Sequence, residues 1–131
     1  MPSVSIYDWR IERISYQIID LSQEFEVSVV EGGFSGKVTL WCHRTDLHRF
    51  IEQLRECEKT RRGEAKLEAM SPQEFSLRIF NSHSKGDFAV SYRISKSLFN
   101  MSNCLIEGEF ELDPSFLMQI LRDFEELVAI P

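Results

Sequence analysis

Thiol and imidazole side chains lie close together in one stretch of the sequence, where they could bind a metal ion. Cys42 and His43 are adjacent, His48 follows shortly after, and Cys57 belongs to the same predicted helix as His48. Zinc usually takes four such ligands, often in tight pairs such as C-x-x-C. No tight pair occurs here, and strand alternation sends Cys42 and His43 to opposite faces. We therefore expect core cysteines and surface histidines, with no metal and no cofactor.

Serine, cysteine and histidine also show no pattern of nucleophilic catalysis. The polar loop Ser82-His83-Ser84 is not a triad, and the chain has no Gly-x-Ser-x-Gly elbow. A dyad of His83 with Cys42 or Cys104 has no support in the spacing. The sequence therefore predicts that the protein is not an enzyme, and no catalytic residue is assigned.

An acidic ladder is the clearest binding feature of the sequence. Its four carboxylates alternate along the last predicted strand and just beyond it: Glu107, Glu109, Glu111 and Asp113. Residues two apart share one face of a strand, and like charges in a row repel unless basic groups lie opposite. The ladder therefore pairs with Arg78 or Arg93 of a neighbouring strand, protects an edge strand from aggregation, or docks a basic protein.

Trp41 is a second candidate for partner contact. It falls on the strand face opposite Val38, Leu40 and Cys42, so it is either exposed or partly buried beneath a second layer. An exposed tryptophan marks an interface. Trp41 and the acidic ladder are the predicted partner-binding residues.

The charge of the chain limits the class of partner. Among 131 residues there are 15 basic and 21 acidic side chains, giving a formal net charge of −6. Nucleic acid requires a cationic surface, so we expect no nucleic-acid partner. The excess is local, because residues 105–131 contain one basic and seven acidic residues, or −6. The net charge of the segment that contains the last strand and helix therefore equals the net charge of the whole chain.

The length and the distribution of apolar residues indicate one domain, residues 1–131. The cysteines and the N-terminus indicate a reducing compartment. The N-terminus has no basic and apolar signal pattern, and no apolar run approaches the roughly 18 residues that span a bilayer. The three cysteines are odd in number and widely spaced, which does not indicate a disulfide framework. We expect a cytoplasmic bacterial protein with no membrane contact.

Periodicity predicts the elements that must position these side chains. Period-2 alternation predicts about seven strands, whose inward sets begin at Ile14, Phe25, Val38, Ala65, Phe75, Phe88 and Ile106. Helical stripes run from Leu47 to Cys57 and from Leu117 to Val128, the second after the capping pair Asp113-Pro114. The order βββ-α-ββββ-α predicts a two-layer α+β fold. Its sheet is mostly antiparallel, with two amphipathic helices on one face.

The two halves of the chain resemble each other weakly. Glu24-Phe25-x-Val27-x-Val29 matches Glu74-Phe75-x-Leu77-x-Ile79. A duplication explains this likeness, and so does the periodicity of any hairpin followed by a helix.

The chain resembles small bacterial immunity proteins of the wall-associated-toxin (WapI-like) type over about residues 20–127. The resemblance rests on core and turn positions: Phe25-x-Val27-x-Val29, Gly33-x-x-Gly36, Leu40-Trp41, Asp46-Leu47-x-x-Phe50-x-x-x-Leu54, Gly63-x-Ala65-x-Leu67 and Glu74-Phe75-x-Leu77. It implies a non-catalytic cytosolic protein that binds and blocks a toxin. An acidic immunity protein suits a basic toxin domain, since opposite charge speeds encounter.

Three functions follow from these features. The first is a protein-binding domain, an immunity protein that neutralises a toxin. The second is a small-ligand-binding domain or small enzyme, with a pocket between sheet and helices at His83, Tyr92 or Arg93. The third is a structural homo-oligomer, such as a homodimer, that pairs through an edge strand or the exposed sheet face around Trp41.

Overall fold

The computed structural model describes residues 1–83, 86–97 and 102–130. Within them lie eight strands, two α-helices and a short 3-10 turn. In chain order these are β1 (Ser3–Ile6), β2 (Trp9–Arg13), β3 (Ser22–Glu31), β4 (Phe34–His43), α1 (Arg44–Thr60), β5 (Glu64–Glu68), β6 (Phe75–Asn81), β7 (Phe88–Ser97), β8 (Asn103–Leu112), the 3-10 turn (Pro114–Phe116) and α2 (Leu117–Val128). The α+β class is confirmed, as is the order of strands, helix, strands, helix.

The strands form two antiparallel sheets of four, ordered β1-β2-β3-β4 and β5-β6-β7-β8. In each sheet, strands that follow one another in sequence are neighbours, as short connections favour. The hairpin of β3 and β4 closes at Gly32 and Gly33, whose φ angles of 58° and 88° suit glycine. The strands thus number eight in two sheets, where periodicity had suggested about seven.

The prediction of a first strand at Ile14 is wrong. Residues 14–18 carry no strand, and the first hairpin lies upstream, where Ile6 pairs with Trp9. Ile14 and Tyr16 are exposed, whereas Val4 and Ile11 are buried. The apolar alternation that builds the sheet therefore belongs to β1 and β2, and that of residues 14–18 lies in an irregular connection.

The halves share an element order of four strands followed by a helix. In this order Phe25 lies in the third strand of its half, and Phe75 lies in the second strand of its half. The sequence likeness between them therefore does not follow the element order, and duplication stays a hypothesis.

The helices join the halves into one hydrophobic core. Each helix contacts the first strand of the other half, α1 against β5 and α2 against β1. The rings of Phe50 and Phe124 meet edge to face, with centroids 4.8 Å apart. Both phenylalanines are fully buried, and burial of such a side chain contributes about 1.5–3 kcal/mol.

Arg13 holds the C-terminal end of α2 in place. Its side chain is fully buried, and its guanidinium donates to the carbonyls of Ser15 (2.9 Å), Leu127 (3.4 Å) and Ala129 (2.5 Å). The last carbonyls of a helix have no partner within the helix and carry its negative dipole end, so they suit a cation. Burial lowers the pKa of Arg13. Arg44 adds a bond of 3.1 Å to the carbonyl of Val128.

Candidate functional site

The acidic ladder lies on β8, at the edge of the second sheet. Glu107, Glu109 and Glu111 are all exposed, and the alternating residues Ile106, Gly108 and Phe110 are only partly exposed. Period-2 alternation therefore places the three carboxylates on the outer face of the strand. β8 is the least buried of the described strands over most of its length.

The arginines that were candidates to neutralise the ladder do not do so in the structure. Arg93 lies opposite Glu107 in the register of β7 and β8. Yet the ion pairs among the described residues include none of the three glutamates. Arg78 instead pairs with Glu64, its Nε 2.6 Å from Oε1. The negative charge of the ladder is therefore directed to solvent.

Asp113 is exposed and caps the 3-10 turn that precedes α2. Its Oδ1 accepts a hydrogen bond from the Ser115 N–H at 2.9 Å. Hydrogen bonds from Ser115 lower the pKa of Asp113, and the charge of Arg61 lowers it further. The carboxylate at this end of the ladder therefore stays ionised over a wider pH range.

Trp41 lies in a different part of the surface. It is half-buried in β4, and its carbonyl accepts the Met70 N–H at 2.9 Å. It lines a cavity of about 290 Å³ together with Ile19, Ser22 and Glu74. That cavity shares no lining residue with the cavities beside the ladder described below. The structure thus does not bring Trp41 and the ladder into one cavity.

An aromatic cluster that the sequence analysis missed lies beside the ladder. We define the Tyr7 cluster as Tyr7, Phe110 and Phe116. The ring centroid of Tyr7 is 5.4 Å from that of Phe110 and 6.2 Å from that of Phe116, both edge to face. Tyr7 is 58% exposed and Phe116 47% exposed. Apolar and polar residues alternate on both sides of Tyr7-Asp8, a pattern that indicates a hairpin. This pattern could have predicted that Tyr7 lies in an exposed turn.

Tyr7 lies where three cavities meet. The first, of about 180 Å³, extends toward Phe116 and α2. The second, of about 190 Å³, extends toward Asp8, Val30 and Glu31. The third, of about 510 Å³, extends to Glu111 and Asp113 of the ladder. Exposed aromatic side chains beside a charged rim are typical of protein–protein interfaces.

The thiol and imidazole side chains do not converge. Burial raises the pKa of Cys42 to about 12 and that of Cys57 to about 11. Nδ1 of His43 contacts Oγ of Ser22 at 3.2 Å, and Nε2 of His48 contacts the Arg44 guanidinium at 3.1 Å. Over the described ranges, no group of three or more histidine, cysteine or acidic side chains could hold a metal ion.

The residues of the predicted ligand pocket are also dispersed. His83 is exposed and lines the cavity of 510 Å³, while Ser84 lies outside the described residues. Tyr92 is buried and donates to Glu31, whereas Arg93 is exposed on the outer face of β7. These three side chains do not line a common cavity among those given above.

Two antiparallel sheets and two helices define an α+β protein with an exposed acidic and aromatic surface. The family model of the WapI-like immunity proteins matches residues 20–130. The chain belongs to the WapI-like immunity protein family, so the family-level resemblance found in the sequence is confirmed.

Other comparisons add little. No curated protein matches the chain. Among solved structures, the chain is similar to a crystal structure of Trypanosoma bruciei MRP1/MRP2, with a TM-score of 0.49 and 12% identity over 98% of this chain and 84% of that chain. In the part of the chain that the structure describes, no helix is both long and apolar enough to cross a membrane.

Proposed function

We propose that this protein is a cytoplasmic immunity protein without catalytic activity, which binds a basic toxin domain through the acidic ladder and the Tyr7 cluster. Membership of the WapI-like family supports the immunity role. The surface assigned to the toxin is supported by the chemistry of the exposed residues.

One observation carries the proposal: the ladder is exposed on an edge strand and lacks ion-pair partners among the described residues. A row of like charges is unfavourable in the free protein. A basic partner would relieve that repulsion, so the ladder is better suited to a complex than to the isolated chain.

The charge and the aromatic side chains have different parts in this binding. The negative field of residues 105–131 steers a basic domain toward β8 and raises the association rate. Buried aromatic contacts at the centre of an interface supply most of the affinity. A toxin that acts on nucleic acid needs a basic surface to bind phosphates, and an acidic immunity protein seated there would block that surface.

The test uses a toxin domain from the native host, sought first among the genes adjacent to that of this protein. Its affinity is measured by biolayer interferometry for the wild type and for a triple variant, Glu107→Lys, Glu109→Lys and Glu111→Lys. Replacing three attractive charges by three repulsive ones should weaken binding at least about 100-fold, mainly through slower association at low salt. The wild-type association rate should fall as salt rises, and that of the variant should not.

The matched control reverses three exposed acids outside residues 105–131, Glu52 and Glu56 of α1 and Glu74 before β6. It makes the same change in net charge and should leave the affinity within about threefold. Equal losses in both triple variants would show that only the net charge matters. That result, or wild-type affinity of the ladder variant, would contradict the assigned surface.

A homodimer through the edge of β8 is the competing use of the same strand. Antiparallel pairing of two copies would place the two ladders opposite each other, where like charges repel. We therefore expect a monomer by light scattering. A dimer that becomes more stable when the three glutamates of the ladder are replaced by glutamine would favour the competing function.

A further inference from the structure

A cavity of about 180 Å³ lies between the Tyr7 turn, the end of β8 and the start of α2. The rings of Tyr7 and Phe116 line it, as do the apolar side chains of Leu112 and Ile120. Binding pockets for whole small ligands measure about 300–1,000 Å³. The volume of this cavity therefore suits a single side chain.

Asp123 gives the cavity a carboxylate. Asp123 lines the cavity and is half-buried, and its Oδ1 accepts a hydrogen bond of 2.8 Å from Nε2 of Gln119. None of the ion pairs among the described residues includes Asp123. The other carboxylate oxygen, Oδ2, is in no side-chain hydrogen bond that the structure shows. The cavity thus combines apolar walls with an anionic group that no cation of the described chain neutralises.

Arginine matches this combination better than other side chains. Its methylene stem packs on apolar walls while its charged end reaches a polar group. Its guanidinium stacks on aromatic rings and binds a carboxylate through two parallel hydrogen bonds. A lysine ammonium lacks the planar fork and is more strongly hydrated, so it gains less from two aromatic rings and one carboxylate.

We propose that this cavity receives an arginine side chain of the toxin domain, packed against the rings of Tyr7 and Phe116 that line the cavity and paired with Asp123. The proposal rests on the proposed function and adds to it a specific anchor. Tyr7 also lines the cavity that contains Glu111 and Asp113. An arginine seated here would therefore lie next to the ladder, within one continuous basic surface of the partner.

The first test needs no toxin. N-acetyl-arginine amide is titrated into the labelled protein, and NMR follows the side-chain amide of Gln119 and the backbone amides of residues 5–7. The lysine and leucine analogues are titrated in parallel. We expect saturable shifts with arginine at millimolar concentration, and at least about tenfold weaker binding in Asp123→Asn. The control Asp20→Asn, beside Trp41, should bind arginine as the wild type does.

Three results of this titration would overturn the proposal. Equal affinity for leucine and arginine would show a purely apolar slot. Equal affinity for the lysine and arginine analogues would show that the cavity does not select a guanidinium. The absence of any shift with arginine would show that the cavity does not bind this side chain.

The second test separates this proposal from the proposed function. The toxin domain should bind Tyr7→Ala and Asp123→Asn at least about tenfold more weakly than the wild type. If the toxin binds these variants normally but loses affinity for the ladder variant, the anchor is wrong and the Tyr7 cluster is not part of the toxin surface. The immunity role and the ladder would still stand in that case. If the toxin does not bind the wild type, the proposed function fails. The titration with arginine then tests independently whether the cavity binds an arginine side chain.

Discussion

The hydroxyl of Tyr92 in β7 donates a hydrogen bond to Oε2 of Glu31 at the end of β3, and this bond links the two sheets across 61 positions of sequence. Tyr92 is only 3% exposed. Burial, followed by the bond to Glu31, raises the pKa of Tyr92 to about 12. Its ring lies 6.2 Å from that of Phe110, so this contact supports the strand that carries the ladder.

The Tyr92 contact should give the protein a specific sensitivity to alkali. The folded state favours the neutral phenol, so the stabilisation is fully present below the ordinary pKa of about 10. It is lost as the pH rises from there through about 12. Urea unfolding at pH 8 should show Tyr92→Phe about 1 kcal/mol less stable than the wild type.

At pH values between about 10 and 12 the difference between these two proteins should shrink. The tyrosinate absorbance of the wild type should also contain a late component that the variant lacks. A difference in unfolding free energy that stays constant with pH would contradict the role of the Tyr92 phenol.

Gly108 in β8 should not accept even a methyl group. A Cβ at Gly108 would lie 2.5 Å from the Tyr92 hydroxyl oxygen and 2.8 Å from Cζ. The ring is rigid, buried and hydrogen-bonded, so it cannot move aside without cost. Gly108→Ala should lower the free energy of unfolding by about 1–3 kcal/mol, as overpacking does, measured by urea denaturation.

Gly36 in β4 offers a matched control for Gly108. A Cβ there would lie 2.5 Å from Cδ1 of Ile106, which is the flexible end of an aliphatic side chain. Because the isoleucine can change rotamer, Gly36→Ala should lower the free energy of unfolding clearly less than Gly108→Ala does. An equal cost in both variants would show that the rigidity of Tyr92 is not the cause.

Arg13 should be among the most sensitive polar positions of the chain. Arg13→Met keeps much of the side-chain volume but leaves buried carbonyls at the end of α2 without a donor. We expect a loss of about 2–4 kcal/mol in the free energy of unfolding, measured by chemical denaturation.

Arg10, two residues earlier, provides the comparison for Arg13. It is exposed and pairs with Glu12 on the surface. Arg10→Met should therefore change stability by no more than about 0.5 kcal/mol. Similar losses at both positions would contradict the special role of the buried guanidinium.

The three thiols should differ sharply in reactivity. Cys104 in β8 is exposed, while Cys42 and Cys57 are buried, with pKa values raised to about 12 and about 11. Since the thiolate is the reactive form, a thiol reagent at neutral pH should modify one cysteine in the native protein and all three in denaturant. Cys104→Ser should abolish the native reaction, and rapid modification of Cys42 in that variant would contradict the described burial.

Much of the fold and half of the candidate surface could be predicted from local periodicity. Alternation placed Glu107, Glu109 and Glu111 on one face of one strand, because successive strand residues point to opposite sides. The stripe from Leu47 to Cys57 gave α1, because apolar residues three or four apart form one helix face. The same method failed at Ile14 and Tyr16, since an irregular connection can alternate by chance.

The sequence by itself determined the α+β class, both helices, most of the strands and the concentration of negative charge in residues 105–131. These depend on side-chain spacing and charge, which are local properties. Only the tertiary structure decided that the strands divide into two sheets, that Arg93 and the other described cations form no ion pair with the glutamates of the ladder, and that Tyr7 meets Phe110 and Phe116. The contacts of Tyr7 join residues about 100 positions apart. Such arrangements depend on the packing of the whole core and not on local spacing.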